Sequence, residues 1–192
     1  MPKLYIIAGC NGAGKTTASY TVLPEMLECK EFVNADEIAK GLSPFNPESV
    51  AIEAGRLMLS RIRELMDNGV DFAFETTLAT RSYTSFVRDA QGKGYRVTLL
   101  YFWLDSPDLA VKRVAERVAA GGHNIDEKTI RRRYVKGIDN LFNLYMDIAD
   151  YWLLVDNSES PFKIIAEGER NETKEIADTL LYKTLEEWTR KK

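Results

Sequence analysis

The chain has 192 residues, 45% of them hydrophobic and 29% charged, with a formal net charge of −3 at pH 7. This size and balance fit one domain, residues 1–192, with a substantial core, and exclude a disordered or low-complexity chain. They also argue against nucleic acid or an anionic membrane as a partner, and no apolar run approaches the roughly 20 residues that cross a bilayer.

Taken in order, Leu4–Ala8 is an apolar run too short for a signal peptide and reads as a buried first strand. A glycine-rich turn follows, then a helical pattern from Lys15 to about Leu27. Glu31–Asn34 predicts a second strand, leading into Ala35-Asp36-Glu37. The longest helix has Asn46 as N-cap, Pro47 at its first position, Ile52, Leu59, Ile62 and Met66 as an apolar stripe, and Gly69 as its stop. Val70–Phe74 ends at Glu75, and Arg96–Leu104 ends at Asp105; a helix from about Ser82 to Gln91 joins them.

Ser106-Pro107-Asp108 starts another helix, which Gly121-Gly122 ends. Asp126 to Ile148 keeps one apolar stripe through Ile130, Tyr134, Ile138, Leu141 and Tyr145. Trp152–Val155 and Phe162–Ala166 predict two last strands, and Thr173–Arg190 a closing helix. The alternation predicts an α/β fold of the P-loop NTPase kind: a mostly parallel sheet of 5–6 strands with helices on both faces. Ligands then sit beyond the carboxyl ends of the strands, at the edge carrying Gly9, Asp36, Glu75 and Asp105.

Gly9-Cys10-Asn11-Gly12-Ala13-Gly14-Lys15-Thr16 matches G-x-x-x-x-G-K-[ST] in full, between a strand and a helix as the motif requires. Its chemistry calls for ATP: backbone N–H groups from Asn11 to Thr17 wrap the phosphates, Lys15 reaches the outer ones, and the Thr16 hydroxyl holds Mg²⁺. Lys15 is expected to be an exposed phosphate ligand that contributes little to the core. Asp36 fits a base that accepts the proton of an attacking hydroxyl, or the N-cap of the helix starting near Glu37. Glu75 fits a magnesium or acceptor ligand, or a satisfied strand-end acid.

From Lys112 to Lys136, eight Lys/Arg face three acids, a local excess of +5. Arg113 and Arg117 share a helix face just before Gly121-Gly122-His123, which suits a phosphate-binding lid around residues 113–136. On the next helix Arg133 flanks the apolar stripe, whereas Arg132 points nearly opposite it. His123 and Arg56 are weaker candidates. Cys10 and Cys29 are the two cysteines, which fits a reducing cytoplasm, and a single histidine leaves no ligand set for structural zinc.

The segments Ala8–Thr17, Val33-Asn34-Ala35-Asp36, Phe74-Glu75-Thr76-Thr77-Leu78 and Arg113 through Gly121-Gly122-His123 to Arg132-Arg133-Tyr134 together resemble the zeta toxin family of P-loop kinases, over roughly residues 3–157. The resemblance implies phosphorylation of the 3′-hydroxyl of a UDP-linked N-acetylglucosamine, with Lys15 on the phosphates, Asp36 as base, Glu75 near the acceptor, and Arg113, Arg117 and Arg133 on phosphoryl groups. Toxicity and an antitoxin partner do not follow from it. The arginines before a Gly-His turn also look like gluconate-type sugar kinases, and a polynucleotide 5′-hydroxyl kinase or a nucleotide-operated switch are the remaining readings.

Overall fold

The computed structural model describes residues 1–122, 124–170 and 172–190. Seven strands build one sheet: β1 (Lys3–Ala8), β2 (Glu31–Val33), β3 (Phe72–Thr76), β4 (Arg96–Trp103), β5 (Tyr151–Asp156), β6 (Lys163–Glu169) and β7 (Glu172–Ile176), in the order β2-β3-β1-β4-β5-β6-β7. The first five are parallel, and β6 and β7 add on antiparallel. Leu4 to Ala8 are buried without alternation, as in a strand covered on both faces. After β1 the chain builds first toward β3 and β2, then returns toward β4 and β5. The order reverses beside the carboxyl end of β1, where open α/β sheets hold their ligands.

The sheet exceeds the expected 5–6 strands because Glu172–Ile176 is a strand and not the start of a helix. All five of its residues are exposed, so nothing in its pattern marks an edge strand. The helix after it, Thr179–Arg190, starts where the Asp178 carboxylate accepts the Leu181 N–H at 2.9 Å.

The remaining helices are α1 (Lys15–Thr21), α2 (Ala35–Leu42), α3 (Ala51–Asp67), α4 (Tyr83–Gly92), α5 (Pro107–Ala119), α6 (Glu127–Asn140) and α7 (Met146–Ile148), with the closing one as α8. The first is shorter than the expected Lys15–Leu27. Pro24 has no N–H to continue its ladder, and Val22–Met26 widens into π-type turns closed by Leu27 N–H on the Val22 carbonyl at 3.1 Å.

A 3₁₀ turn, Pro47–Val50, precedes α3, so Asn46 opens that turn and not the α-helix itself. The face α3 buries is Ala54, Met58, Ile62, Leu65 and Met66; Ile52, expected on the stripe, is 76% exposed because it lies two positions off that series. The stripe Ile130, Tyr134, Ile138, Leu141 and Tyr145 is buried throughout, running from α6 into the π-type turns Leu141–Tyr145. No helix among the described residues is long and apolar enough to cross a membrane.

Candidate active site

The loop between β1 and α1 exists in this shape because of its glycines. Gly9 has φ +139° and a side chain there would run into the Phe102 carbonyl; Gly14 has φ +79°, and a Cβ would lie 2.5 Å from Asn157 Nδ2. That amide is part of a brace. Asn157 Nδ2 donates to the Ala13 carbonyl at 2.8 Å, and the Arg113 guanidinium donates to the carbonyls of Asn157 and Ser158 at 2.8 and 2.7 Å. The turn after β5 is thus fastened on one side to α5 and on the other to the glycine loop.

Lys15 is not an exposed ligand. It is 5% exposed, its Nζ donates to the Cys10 carbonyl at 3.0 Å, and it lies 3.5 Å from Glu75 Oε1. The other carboxylate oxygen of Glu75 accepts the Thr16 hydroxyl at 2.7 Å and the Asn34 amide at 2.9 Å. Glu75 therefore ends β3 as a node with both oxygens engaged, joining the first residues of α1 to the end of β2. The N-cap of α2 is Asn34: its Oδ1 accepts the N–H groups of Asp36 and Glu37 at 2.8 and 3.4 Å. Asp36 sits past the cap, half-buried, which removes the capping alternative for its carboxylate.

Two cavities adjoin along this line. One, of 250 Å³, is lined by Asn11, Gly12, Gly14, Lys15, Thr16, Thr17, Asp36, Glu75, Arg113 and Arg117. Ala13 is fully buried beneath the loop and is not in that lining. The other, of 220 Å³, shares Asn11, Lys15, Asp36 and Glu75 and adds Asn34, Met58, Thr76, Thr77, Thr80, Tyr83 and Arg133. Arg133 donates to Asn11 Oδ1 at 3.1 Å, and burial lowers its pKa while the Asp36 carboxylate raises it.

Arg132 is exposed, and so is Arg56 on α3; neither lines either of these two cavities. Asp105 follows β4 at the same edge but is engaged with Ser106 and Ser158. Around Arg117, the Gly122 N–H donates to the Arg117 carbonyl at 2.8 Å and Gly121, with φ +85°, ends α5. His123 lies outside the described residues. Part of the basic excess is spent on the surface, where Arg131 pairs with Asp108 and Glu127.

The floor of the second cavity is a strained turn. Leu78 is fully buried at φ +57°, an uncommon conformation for a branched side chain. Three groups of the α6–π segment hold it: Asn140 Nδ2 donates to the Leu78 carbonyl at 2.7 Å, Tyr145 Oη donates to Thr80 O at 2.8 Å, and Gly137 leaves just enough room for Thr77 O. Tyr83 stacks on Phe74 with ring centroids 5.0 Å apart.

A larger groove of 830 Å³ lies at the opposite, amino-terminal edge of the sheet, beside Arg96, Asp150 and Arg170. Its charges neutralise one another, Arg170 with Asp150 at 3.1 Å and Arg96 with Glu169 at 3.7 Å. The chemistry therefore concentrates in the smaller pair of cavities. A Thr hydroxyl beside a carboxylate is the hard-oxygen set that suits Mg²⁺, which takes one or two protein oxygens and completes its shell with phosphates and water.

The family model described as Zeta toxin matches residues 1–145. The chain belongs to the zeta toxin family. It is accordingly a P-loop phosphotransferase. Among curated proteins it is similar to an uncharacterized protein of Haemophilus influenzae, 28% identical over 132 residues, which are 69% of this chain and 92% of that one.

Among solved structures it resembles the AvrRxo1-ORF1:-ORF2 complex with ATP, with TM-score 0.76 and 16% identity over 97% of this chain. The match takes in only 64% of that longer chain. The PezAT toxin–antitoxin system of Streptococcus pneumoniae is similar with TM-score 0.66 and 16% identity, covering 100% of this chain and 85% of that one. At such identities the likeness is one of fold.

Within this zeta toxin fold, the loop, Asp36, Glu75 and the arginines are visible in the sequence, whereas Asn157, the double bonding of Asn34, and the wall formed by Met58, Thr80 and Tyr83 are not. Asn34 belongs to the Val33-Asn34-Ala35-Asp36 segment, but its bonds cross from one strand end to the next. Asn157 had no signal, because only folding brings the β5–β6 turn to the loop.

Proposed function

We propose that this protein transfers the γ-phosphoryl group of ATP, with Mg²⁺, to a hydroxyl of a small molecule of the UDP-N-acetylglucosamine type. The observation that carries the reading is the shared border of the two cavities, where Lys15 and Asp36 line both. On this reading the phosphates lie in the glycine-loop cavity, against backbone N–H groups of Asn11 to Thr17, with Lys15, Arg113 and Arg117 supplying positive charge. The acceptor enters the second cavity. Asp36 orients and deprotonates its hydroxyl, and Arg133 stabilises negative charge between the two.

Mg²⁺, held by Thr16 with Glu75 beside it, would neutralise charge on the outer phosphates. On this reading Arg113 acts more as a support of the phosphate site than as a mobile finger, since both its terminal nitrogens hold the β5–β6 turn. The two free buried cysteines are compatible with a reducing cytoplasm.

The test is acceptor-dependent turnover of labelled ATP with UDP-N-acetylglucosamine, gluconate and a 5′-hydroxyl oligonucleotide in parallel, followed by mass spectrometry of whatever gains phosphate. Phosphate on the sugar nucleotide supports the proposal. Phosphate on gluconate or the oligonucleotide replaces the acceptor, and ATP hydrolysis indifferent to all three replaces the kinase by a switch.

A further inference from the structure

We infer that Asn34 is a positioning residue whose single side-chain amide sets the acceptor-side carboxylate and the magnesium-side carboxylate relative to each other. The inference rests on the kinase reading above. Asn34 is 6% exposed at the junction of β2 and α2, and both ends of its amide are in use. The carbonyl end accepts the Asp36 N–H at 2.8 Å and the Glu37 N–H at 3.4 Å. The amino end donates to Glu75 Oε2 at 2.9 Å and reaches Thr16 Oγ1 at 3.5 Å. A helix cap needs only the first set of bonds, which Ser, Thr or Asp supplies as well. Asp has no donor to offer the carboxylate behind the cap, and Ser or Thr has a single shorter hydroxyl in place of the amide whose second polar atom reaches that carboxylate.

The second set has a cost that capping does not explain. A largely enclosed carboxylate needs donors, and Glu75 has Thr16, Lys15 and Asn34. Asn34 is the one of the three that is also bonded to the backbone carrying Asp36. Through it, a shift of α2 displaces Glu75, and Glu75 displaces the Thr16 hydroxyl. The donor and acceptor halves of the site are held in one frame before either ligand arrives, which is what in-line transfer requires of groups on different elements.

Two variants separate positioning from capping. Asn34→Ser keeps a good cap and removes the amide group that reaches Glu75; Asn34→Asp keeps an equally good cap and sets a second carboxylate against Glu75. Both are compared with the wild-type full chain for melting temperature without ligand, and for ATP affinity titrated with Mg²⁺. Asn34→Ser is expected to melt within about 3 °C of wild type, because one cap replaces another. Its half-saturating Mg²⁺ concentration for ATP binding is expected to rise about fivefold or more.

Asn34→Asp is expected to melt well below wild type, because a carboxylate then faces Glu75 where an amide donated. Wild-type Mg²⁺ dependence in both variants, or an Asn34→Asp chain that melts as wild type does, overturns the inference and leaves Asn34 a cap. A wild-type chain that binds no magnesium–ATP overturns the kinase reading and this inference together. A wild-type chain that binds it while Asn34→Ser matches it overturns the inference alone.

Discussion

Arg133 Nη1 donates to Asn11 Oδ1 at 3.1 Å, joining α6 to the phosphate-binding loop although 122 positions separate the two residues. The contact puts a half-buried guanidinium over the border between the two cavities, with the Asp36 carboxylate as its electrostatic counterpart.

Arg133→Ala is expected to lower the rate of transfer at saturating substrates by about 10²-fold or more, with ATP affinity changed much less, since its charge acts where negative charge develops. Arg133→Lys should rescue only part of the loss, because an ammonium cannot hold Asn11 and face a phosphoryl oxygen in the same planar fork. Equal losses in kcat and in nucleotide affinity would make Arg133 a binding residue.

Lys15→Ala is expected to remove turnover by at least about two orders of magnitude. Because Lys15 is buried against Glu75, the change also costs stability, about 1–3 kcal/mol for a carboxylate deprived of one of its three donors. The protein should still fold, since Thr16 and Asn34 remain on Glu75. Urea denaturation beside a turnover assay measures both effects, and full activity in the variant would end the phosphate-binding assignment.

Asp36→Asn should leave the melting temperature nearly unchanged, because the α2 cap belongs to Asn34. Nucleotide affinity should stay close to wild type while acceptor phosphorylation nearly stops, because an amide cannot take the proton. Retained turnover with an accepted substrate would eliminate Asp36 as the base.

Gly137→Ala is expected to cost about 1–3 kcal/mol, since its Cβ would lie 2.7 Å from the Thr77 carbonyl and 2.8 Å from the Tyr101 hydroxyl. Displacing Thr77 moves the wall of the second cavity, so KM for the acceptor should rise more than KM for ATP. A change in stability with both KM values intact would show that the turn is not part of the acceptor site.

Burial pushes the thiols of Cys10 and Cys29 up to about 11. Their folded values exceed the unfolded ones, so the neutral thiols stabilise the fold fully below about pH 8.5, and that contribution is lost as pH rises toward 11. Alkylation of the native protein at pH 8 should be slow at both sites and become fast in denaturant. Rapid native labelling of Cys10 would contradict its burial beneath the glycine loop.

The fold was legible wherever one segment carried its own signal: the glycine motif between an apolar run and a helix, and the stripe from Ile130 to Tyr145. It was illegible where tertiary context decided. Glu172–Ile176 is a strand because β6 offers an edge, and its own residues are polar on both faces. Ile52 and Ala54 differ in burial because α3 turns a particular face inward, which an isolated helix does not record. In the site, the types Lys15, Asp36, Glu75 and Arg133 were readable from chemistry at strand ends and helix faces. The bonds linking Asn34 to Glu75 and Asn157 to Ala13 span 41 and 144 positions, so no local pattern encodes them.

The brace from Asn157 to Ala13 bears on where this protein can be cut. The stretch matched by the family ends at residue 145, before β5 begins at Tyr151. A fragment trimmed to that stretch would retain every residue of the glycine motif, Asp36, Glu75 and the site arginines Arg113, Arg117 and Arg133. It would lose the strand that covers the open side of β4, the carbonyls that Arg113 grips, and the amide that holds the phosphate loop from below. The smallest piece expected to bind nucleotide therefore reaches at least through Ser158, and the chemistry of the amino-terminal half depends on a turn from the carboxyl-terminal part of the chain.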